Sequence, residues 1–156
     1  YICHKSSKFK ENFTKIKQII NDEEKMKLSN ESTFKRFIRD INKSKKKLNS
    51  LLSKIKRSNK TVHGYGASTK GNVLLQYFGI TNKIVTNIAE RNKNKYNLFT
   101  PGTKIKIISE VLSRFQKPNY YLVLPWHFKR EILLREKSVR KKGTKFIFPL
   151  PNLEVI

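Results

Sequence analysis

The stretch HGYGASTKGN, residues 63–72, places three of the chain's six glycines between two patterns of different period. A short strand pattern, Thr61–Gly66, leads into it, and an apolar helical pattern, Thr69–Phe78, leaves it. A strand that turns through glycines into a helix is how a nucleotide-binding half of a parallel α/β fold begins. The stretch therefore predicts an α/β fold, with a ligand-facing edge of the sheet at this turn.

Strand and helix patterns alternate through the rest of the C-terminal part. Helices are expected from a Ser109 cap to about Gln116, and from Phe128 to about Lys142, where Gly143 stops the pattern. The further strands are expected at Lys83–Ala89, Ile105–Ile108, Tyr120–Leu124 and Thr144–Phe148, with Leu153–Ile156 as an edge strand. This alternation predicts a Rossmann-like three-layer domain over residues 59–156, with a mostly parallel sheet and right-handed crossovers.

Residues 1–58 carry helical patterns and are expected to form an α-helical lead-in or linker. Apolar residues recur at helical spacing between Glu11 and Leu28, and again from Phe34 to Ile55. Between the two patterns, Ser32 or Thr33 is expected to cap the second helix. The run Lys45–Lys47 on that helix is interpreted as a solvated face.

The positive charge leaves two explanations. The chain carries 35 Lys and Arg against 11 Asp and Glu, a formal net charge of +24. Clustered cations are typical of a nucleic-acid footprint. The positive charge is nevertheless divided evenly along the chain, since residues 1–60 and residues 61–156 each carry a net charge of +12. Abundant Lys, Asn and Ile is also what an AT-rich coding bias produces, so this origin is favoured over a nucleic-acid partner, although both can hold.

Cysteine content and hydropathy exclude several classes. A single cysteine, Cys3, rules out an intrachain disulfide framework and a Cys-based zinc cluster. It is typical of a reducing cytoplasm, which is the expected location. No apolar run approaches the roughly 18–20 residues that span a bilayer, so no membrane partner is predicted. The histidines show no metal-ligand spacing, and a chain that starts at Tyr1 without a Met is expected to be a fragment.

The glycine turn itself has two interpretations. Gly64 and Gly66 permit a turn with positive φ, and the following helix offers free amides and a dipole to an anion. Lys70 in the first turn opposes that dipole unless a phosphate or carboxylate lies nearby. The turn is not a P-loop, because Lys70 precedes Gly71, and Gly71 comes two residues late for a dinucleotide fingerprint. A phosphate-binding turn and a tight turn with structural glycines both remain open.

Other candidate residues follow the predicted strands. Glu90 ends the second strand, where a Rossmann site places its ribose-binding acid, although a capping or ion-pair role would also explain it. Trp126 and His127 follow the central strand. His127 is the candidate catalytic base or sugar-hydroxyl partner, and the alternative is a solvated loop histidine. The sequence contains no Ser-His-Asp set and no paired carboxylates, so it predicts a binding edge without complete catalytic machinery.

Taken together, four stretches resemble the C-terminal domain of the SAM-dependent C-methyltransferases that act on nucleotide-linked deoxysugars. They are VHGYGASTKGNVLLQYFGI (62–80), IAERNKNKYNLFTPGTKIKIIS (88–109), YYLVLPWHFKREI (120–132) and KGTKFIFPLPNLEVI (142–156). The lead-in INDEEKMKLSNESTFKRFIRDINKSKKKLNSLL (20–52) is similar to the helices that link this domain to the methyltransferase core.

The resemblance implies a substrate-side domain that is inactive alone. SAM would be bound by another domain, in the same enzyme or in a separate subunit, with residues 1–4 as that domain's last strand. No cofactor is expected on this chain alone. The expected ligand is a nucleotide-sugar or a similar phosphorylated small molecule. Its expected contacts are Gly64, Tyr65, Gly66, Ser68, Lys70, Gly71, Asn72, Glu90, Thr100, Pro101, Gly102, Thr103, Trp126 and His127. The alternatives are an RNA- or polyanion-binding module and a nicotinamide-binding Rossmann domain.

Overall fold

The computed structural model describes residues 3–156. They fall into two compact units, one ending at Ile41 and one comprising Asn42–Ile156. Of the strand expected at residues 1–4, Tyr1 and Ile2 lie outside the described residues, and Cys3 and His4 have no regular secondary structure. The predicted domain boundary between residues 58 and 59 stays a prediction.

The N-terminal unit is helical, as the sequence predicts. Helix α1 spans Phe13–Lys25, and the Asn12 side chain caps it by accepting from the Lys15 amide (3.0 Å). Helix α2 spans Glu31–Arg57, so its first half belongs to this unit. Because α2 begins at Glu31, Ser32 and Thr33 lie inside its first turn, and the expectation that one of them caps it is wrong.

The C-terminal unit is built on a six-stranded sheet. Its strands are β1 Val62–Tyr65, β2 Asn87–Glu90, β3 Lys106–Ser109, β4 Tyr120–Val123, β5 Lys145–Phe148 and β6 Glu154–Val155. They are ordered β3-β2-β1-β4-β5-β6, parallel except for β6, which pairs antiparallel to β5. The first three strands are added toward one edge of the sheet and the later ones toward the other, so the strand order reverses between β1 and β4, as in the Rossmann order. The predicted Rossmann-like, mostly parallel sheet is confirmed.

Four helices accompany the sheet, and one of them was not expected. They are α3 Thr69–Phe78, α4 Glu110–Phe115, α5 Lys129–Arg135 and α6 Lys137–Lys141. Single 3-10 turns lie between β2 and β3 at Lys93–Lys95, and between β4 and α5 at Trp126–Phe128. The single helix expected up to Lys142 is broken at Glu136, whose backbone lies at φ −95°, ψ 22°. The Glu136 side chain is buried in an ion pair, so tertiary contacts rather than helical periodicity decide the backbone here.

The second strand is shorter than expected. β2 begins at Asn87, whereas the apolar pattern predicted a start at Lys83. The amides of Ile84 and Val85 both donate to the Thr81 carbonyl at 3.0 Å, so this part of the pattern is a turn. Val85 is fully buried although it lies outside any strand. The apolar residues that predict a longer strand are therefore explained in part by burial within a turn.

Helices cover both faces of the sheet. Residues paired in register share a face, because side chains alternate along each strand. One face, called the aromatic face, carries His63, Tyr65, Tyr121, Phe146 and Phe148 and packs against α4 and α5. The other, called the aliphatic face, carries Ile88, Leu122, Leu124 and Ile147 and packs against α3. The arrangement is the predicted three-layer one.

Two contacts hold the helices on the aliphatic face. A Cβ on Gly71 would lie 2.4 Å from the Leu124 Cβ, so only glycine lets α3 approach the end of β4 this closely. The second half of α2 joins α3 through Asn49, whose amide donates to the Phe78 carbonyl (2.9 Å). Leu48 and Leu52 of α2 are fully buried. This half of α2 is thus part of the C-terminal unit's core.

Candidate functional site

An open cleft of about 570 Å³ lies at the carboxyl edge of the sheet, where the strand order reverses between β1 and β4. This is the position at which open α/β sheets bind ligands. The turn after β1, the end of β2 and helix α5 form its walls. Its lining residues are Tyr65, Gly66, Ala67, Ser68, Glu90, Arg91, Lys95, Glu110, Pro125, Phe128, Glu131, Ile132 and Arg135.

The glycine turn is fixed by two side chains from the neighbouring strand and its following turn. The Ala67 amide donates to Glu90 Oε2 (2.7 Å), and Lys95 Nζ donates to the Ala67 carbonyl (2.8 Å). Glu90 Oε1 accepts from the amides of Arg91 (2.8 Å) and Asn92 (2.9 Å). Both carboxylate oxygens of Glu90 are therefore occupied by main-chain groups. In this arrangement Glu90 shapes the turn, and three main-chain amides occupy most of its acceptor positions.

Most amides of the glycine turn are also satisfied within the fold. The Ser68 amide donates to the Gly66 carbonyl (2.9 Å), and the Ser68 hydroxyl caps α3 by accepting from the Gly71 amide (3.1 Å). Gly66 has φ +80°, the left-handed conformation that the turn needs. Within residues 3–156, no acceptor is found for the amides of Thr69 and Lys70. An anion at this helix start would meet these two amides and the exposed Lys70 side chain.

A hydrogen-bonded network around the buried Tyr65 and Glu136 forms the floor of the cleft. The Tyr65 hydroxyl donates to Glu136 Oε1 (2.7 Å) and accepts from Arg135 Nη2. Arg114 holds the same carboxylate with two bonds, Nη2 to Oε1 (2.6 Å) and Nε to Oε2 (3.2 Å). Glu110 bridges the arginines, accepting from Arg114 (2.8 Å) and from Arg135 (3.0 Å). The network joins β1, α4, α5 and the break before α6.

The protonation states of this network follow from burial and partners. Burial by itself would raise the pKa of the Glu136 carboxyl, but hydrogen bonds from Arg114 and Tyr65 and the two arginine charges outweigh it and lower that pKa. Burial raises the pKa of the Tyr65 hydroxyl far above its ordinary value. Glu136 is thus ionised and Tyr65 protonated at neutral pH. Tyr65 can donate a hydrogen bond here but is a poor base.

A second hollow of about 310 Å³ lies on the other side of the glycine turn. Ala67, Ser68 and Lys95 border both hollows. Its lining residues are Ala67, Ser68, Thr69, Asn72, Leu75, Ile88, Lys95, Thr100, Pro101, Ile107 and Leu124. Lys95 is the one charged residue in this lining, so the smaller hollow offers mainly hydroxyls, an amide and aliphatic surface.

The TPGT segment, residues 100–103, forms a tight turn against α3. The hydroxyls of Thr100 and Thr103 bond each other (2.6 Å), and the Ile105 amide donates to the Thr100 hydroxyl (2.9 Å). Gln76 of α3 donates to the Pro101 carbonyl (3.2 Å). Thr100 and Thr103 are buried, so their hydroxyls stabilise the turn, which presents Thr100 and Pro101 to the smaller hollow.

Trp126 and His127 are placed beside the cleft and do not line it. The half-buried Trp126 packs against the aromatic-face core. His127 is exposed, and its ring contacts that of Phe128 in a tilted arrangement, with 4.3 Å between the ring centroids. Among the described residues, neither side chain borders either hollow. A role for His127 as a base stays a prediction.

The structure brings together part of the predicted set. Tyr65, Gly66, Ser68 and Glu90 border the larger cleft, and Ser68, Asn72, Thr100 and Pro101 border the smaller hollow. The predicted residues that border neither are Gly64, Lys70, Gly71, Gly102, Thr103, Trp126 and His127. Lys95, Glu110 and Arg135 were missed. Glu110 directly follows β3, which is a signal that places it at the carboxyl edge, whereas no sequence pattern points to Lys95 or Arg135.

Residues 3–156 contain neither a metal-binding cluster nor a membrane-spanning helix. No three His, Cys, Asp or Glu side chains come together in a way that could hold a metal ion. None of the described helices has the length and hydropathy to cross a membrane.

Comparison with known proteins shows the family of the chain. Residues 1–151 match the family described as the C-methyltransferase C-terminal domain. The chain is 29% identical over 141 residues to the C-methyltransferase NovU of Streptomyces niveus, an alignment that covers 90% of this chain and 34% of NovU. The chain thus spans about a third of the length of this curated relative. With the family matching nearly the whole sequence, the chain belongs to the C-methyltransferase C-terminal domain family.

Proposed function

We propose that this chain is the substrate-side domain of a SAM-dependent C-methyltransferase and that it holds a nucleotide-linked sugar or a similar phosphorylated small molecule. The observation that carries the proposal is the cleft of about 570 Å³ at the strand-order reversal, bordered by a glycine turn that side chains fix in place. A fixed turn lowers the entropy cost of binding. The family relationship supports the transferase class.

The residues around the glycine turn divide into two kinds. Arg91 and Arg135 supply cations at the cleft, and Lys70 supplies one at the free amides that begin α3; these groups would bind phosphate oxygens. Ser68, Asn72 and the carboxylate of Glu131 supply hydrogen-bonding groups at the two hollows, which would bind sugar hydroxyls. In this proposal Trp126 and His127 reach the sugar from the side of the cleft, with His127 as the candidate base.

SAM chemistry belongs elsewhere in the proposed enzyme. The position after β2 that would hold an adenosine ribose is Glu90, and both of its oxygens already accept main-chain amides. Glu90 is thus engaged mainly by the main chain, and we propose neither a SAM site nor a nicotinamide site at this turn. The complete enzyme would remove a proton from a carbon beside a sugar carbonyl. The carbanion would take the methyl group from the SAM sulfonium, whose S–CH3 bond would break to release S-adenosylhomocysteine. We place that SAM-binding domain on the same enzyme or a separate subunit, in the cytoplasm.

Binding is tested by titrating the purified chain with UDP-glucose by calorimetry. We expect saturable binding that Arg135→Gln weakens about tenfold, the effect of losing one charge-assisted hydrogen bond. Lys137→Gln is the matched control, because Lys137 is exposed on α6 and does not line the cleft. Absence of saturation, or equal weakening by both variants, would contradict the assignment of the cleft.

Inactivity of the isolated chain is a separate expectation. We expect no methyl transfer from SAM to a nucleotide-sugar when residues 1–156 are assayed alone, because we place the SAM site on another domain. Turnover by the isolated chain would show that this part of the proposal is wrong, whatever the calorimetry gives.

A further inference from the structure

Charge is distributed unevenly in the C-terminal unit, although it is even along the sequence. Between Asp40 and Glu90 the chain has ten Lys and Arg residues and no Asp or Glu. The carboxylates of this unit are elsewhere: Glu90, Glu110 and Glu131 line the cleft, Glu136 lies beneath it, and Glu154 pairs with Lys129. A coding bias explains many lysines but does not explain why acids are missing from one region.

The second half of α2 presents these cations in one stripe. Leu48, Leu52 and Ile55 are buried on one side of the helix. At 100° per residue, Lys46, Lys47, Lys54 and Arg57 lie on the opposite side, with only Ser50 and Ser53 between them. We call these four cations and two serines the α2 basic face. All six residues are exposed, and the stripe is about 16 Å long at 1.5 Å per residue.

The cations of the α2 basic face have no counterion in the described part of the chain. No ion pair involves Lys46, Lys47, Lys54 or Arg57 among residues 3–156. Lys45, by contrast, is held on α3, where it donates to the Tyr77 carbonyl (2.7 Å) and lies over the Tyr77 ring. The stripe is therefore a concentrated positive potential that the fold itself does not neutralise.

We propose that the α2 basic face binds the phosphate backbone of a double-stranded nucleic acid without reading its bases. About 16 Å of duplex axis carries roughly nine phosphates, enough to engage four cations at once. The stripe has no aromatic side chain, so base stacking on a single strand is not favoured. This inference goes beyond the proposed function, since the stripe and the cleft share no residue.

Two other anionic partners fit the stripe less well. A helix that binds a lipid surface inserts its apolar face, and that face of α2 is buried in the domain through Leu48, Leu52 and Ile55. A protein interface takes most of its binding energy from desolvated aromatic and apolar anchors, which the lysines and serines of the stripe do not supply. Binding to a phosphate backbone, by contrast, requires only the cations that the stripe supplies.

The test measures binding of the full 156-residue chain to a fluorescent mixed-sequence DNA duplex of about 20 base pairs by anisotropy. With four phosphate contacts, affinity should fall about 100-fold between about 50 and about 200 mM salt. The variant Lys46→Gln/Lys47→Gln/Lys54→Gln/Arg57→Gln should lose nearly all of this salt dependence.

A second variant with the same net charge is the control. Lys106→Gln/Arg130→Gln/Lys137→Gln/Lys141→Gln removes four exposed cations from other elements and should keep the steep salt dependence. Equal weakening in the two variants would overturn the proposal, because it would show that only total charge matters. So would tighter binding to phosphatidylserine vesicles than to the duplex. Circular dichroism of both variants confirms that each is folded.

Discussion

On the aliphatic face of the sheet, α3 packs through Leu74 and Leu75 and through the close approach of Gly71 to Leu124. On the aromatic face, α4 and α5 bury a histidine, a serine and a glutamate among tyrosine and phenylalanine rings. Burial of apolar area is non-directional, so the first face depends on shape and volume. The second face depends on named hydrogen-bond partners, because each buried polar group is costly if it is left unpaired. Substitutions that remove one partner should therefore separate the two faces.

The largest effect is expected at Glu136. Glu136→Gln removes the charge that binds Arg114 at 2.6 Å and accepts from Tyr65, and Glu136 is only 2% exposed. Breaking a fully buried pair costs about 3–5 kcal/mol. Because Arg114 is partly exposed and keeps its ion pair with Glu110, the loss here should lie near the lower end, about 3 kcal/mol. Urea denaturation measures the free energy of unfolding. Glu154→Gln is the matched control, since its pair with Lys129 is exposed and should contribute less than about 1 kcal/mol. Similar losses in both variants would contradict the role given to burial.

The packing of the aliphatic face is tested most directly by a substitution at Gly71. In a helix, Gly→Ala ordinarily stabilises by about 1 kcal/mol. Here the new Cβ would lie 2.4 Å from the Leu124 Cβ, so Gly71→Ala should destabilise by up to about 3 kcal/mol through overpacking. Val73→Ala tests the same helix at an exposed position and should change stability by less than about 1 kcal/mol. If Gly71→Ala instead raises the midpoint of thermal unfolding, α3 does not pack as closely as described.

The aromatic face should also respond to pH through His63. This ring is 4% exposed, its Nδ1 bonds the Ser113 hydroxyl (2.8 Å), and burial lowers its pKa from 6.5 to about 4. Between these values the unfolded chain binds the proton and the folded chain does not, so stability falls as pH drops through this window and is unaffected above it. The expected loss at about pH 4.5 is about 2.5 kcal/mol.

The variant His63→Gln separates this effect from the carboxylates. It removes the titrating group, so the difference in unfolding free energy between wild type and variant should shrink by about 2.5 kcal/mol from neutral pH to about pH 4.5. Protonation of Glu136 also destabilises the folded chain in acid. Because the pKa of Glu136 is lowered, this destabilisation comes at a lower pH than the one caused by His63. A difference that stays constant with pH would show that His63 is not held neutral in the folded chain.

The two faces also differ in how well the sequence predicts them. The aliphatic face follows from patterns. Leu122 and Leu124 lie in a continuous apolar run, and the helix Thr69–Phe78 and the glycines of the turn specify local geometry. The break at Glu136 does not follow from such a pattern. The residue type and spacing at position 136 are those of a continuing helix. Only the contacts with Tyr65 and Arg114, which are distant in sequence, turn the Glu136 carboxylate inward.

The candidate site shows the same limit. Its position was predictable, because the carboxyl ends of parallel strands meet at one edge and Glu90 ends a strand there. The function of Glu90 in holding the Ala67 amide was not, because a terminal carboxylate has the same signature whether it binds a ligand or the main chain. Lys95 and Arg135 lie in segments without a motif, and their place in the cleft depends on how the elements assemble.

The smallest change compares two tyrosines on the aromatic face. Tyr65→Phe removes a hydroxyl that donates to the ionised Glu136, and a hydrogen bond to a charged group contributes about 1.5–2 kcal/mol. Tyr121→Phe removes a hydroxyl bonded to the neutral Ser113 (2.8 Å), which should cost about 1 kcal/mol. The order of the two losses in denaturant titrations is the result that matters, because the rings keep their packing in both variants. A larger loss at Tyr121 would mean that the ion-paired network is not what stabilises this face. The neutral hydrogen bonds that connect His63, Ser113 and Tyr121 would then contribute more to stability.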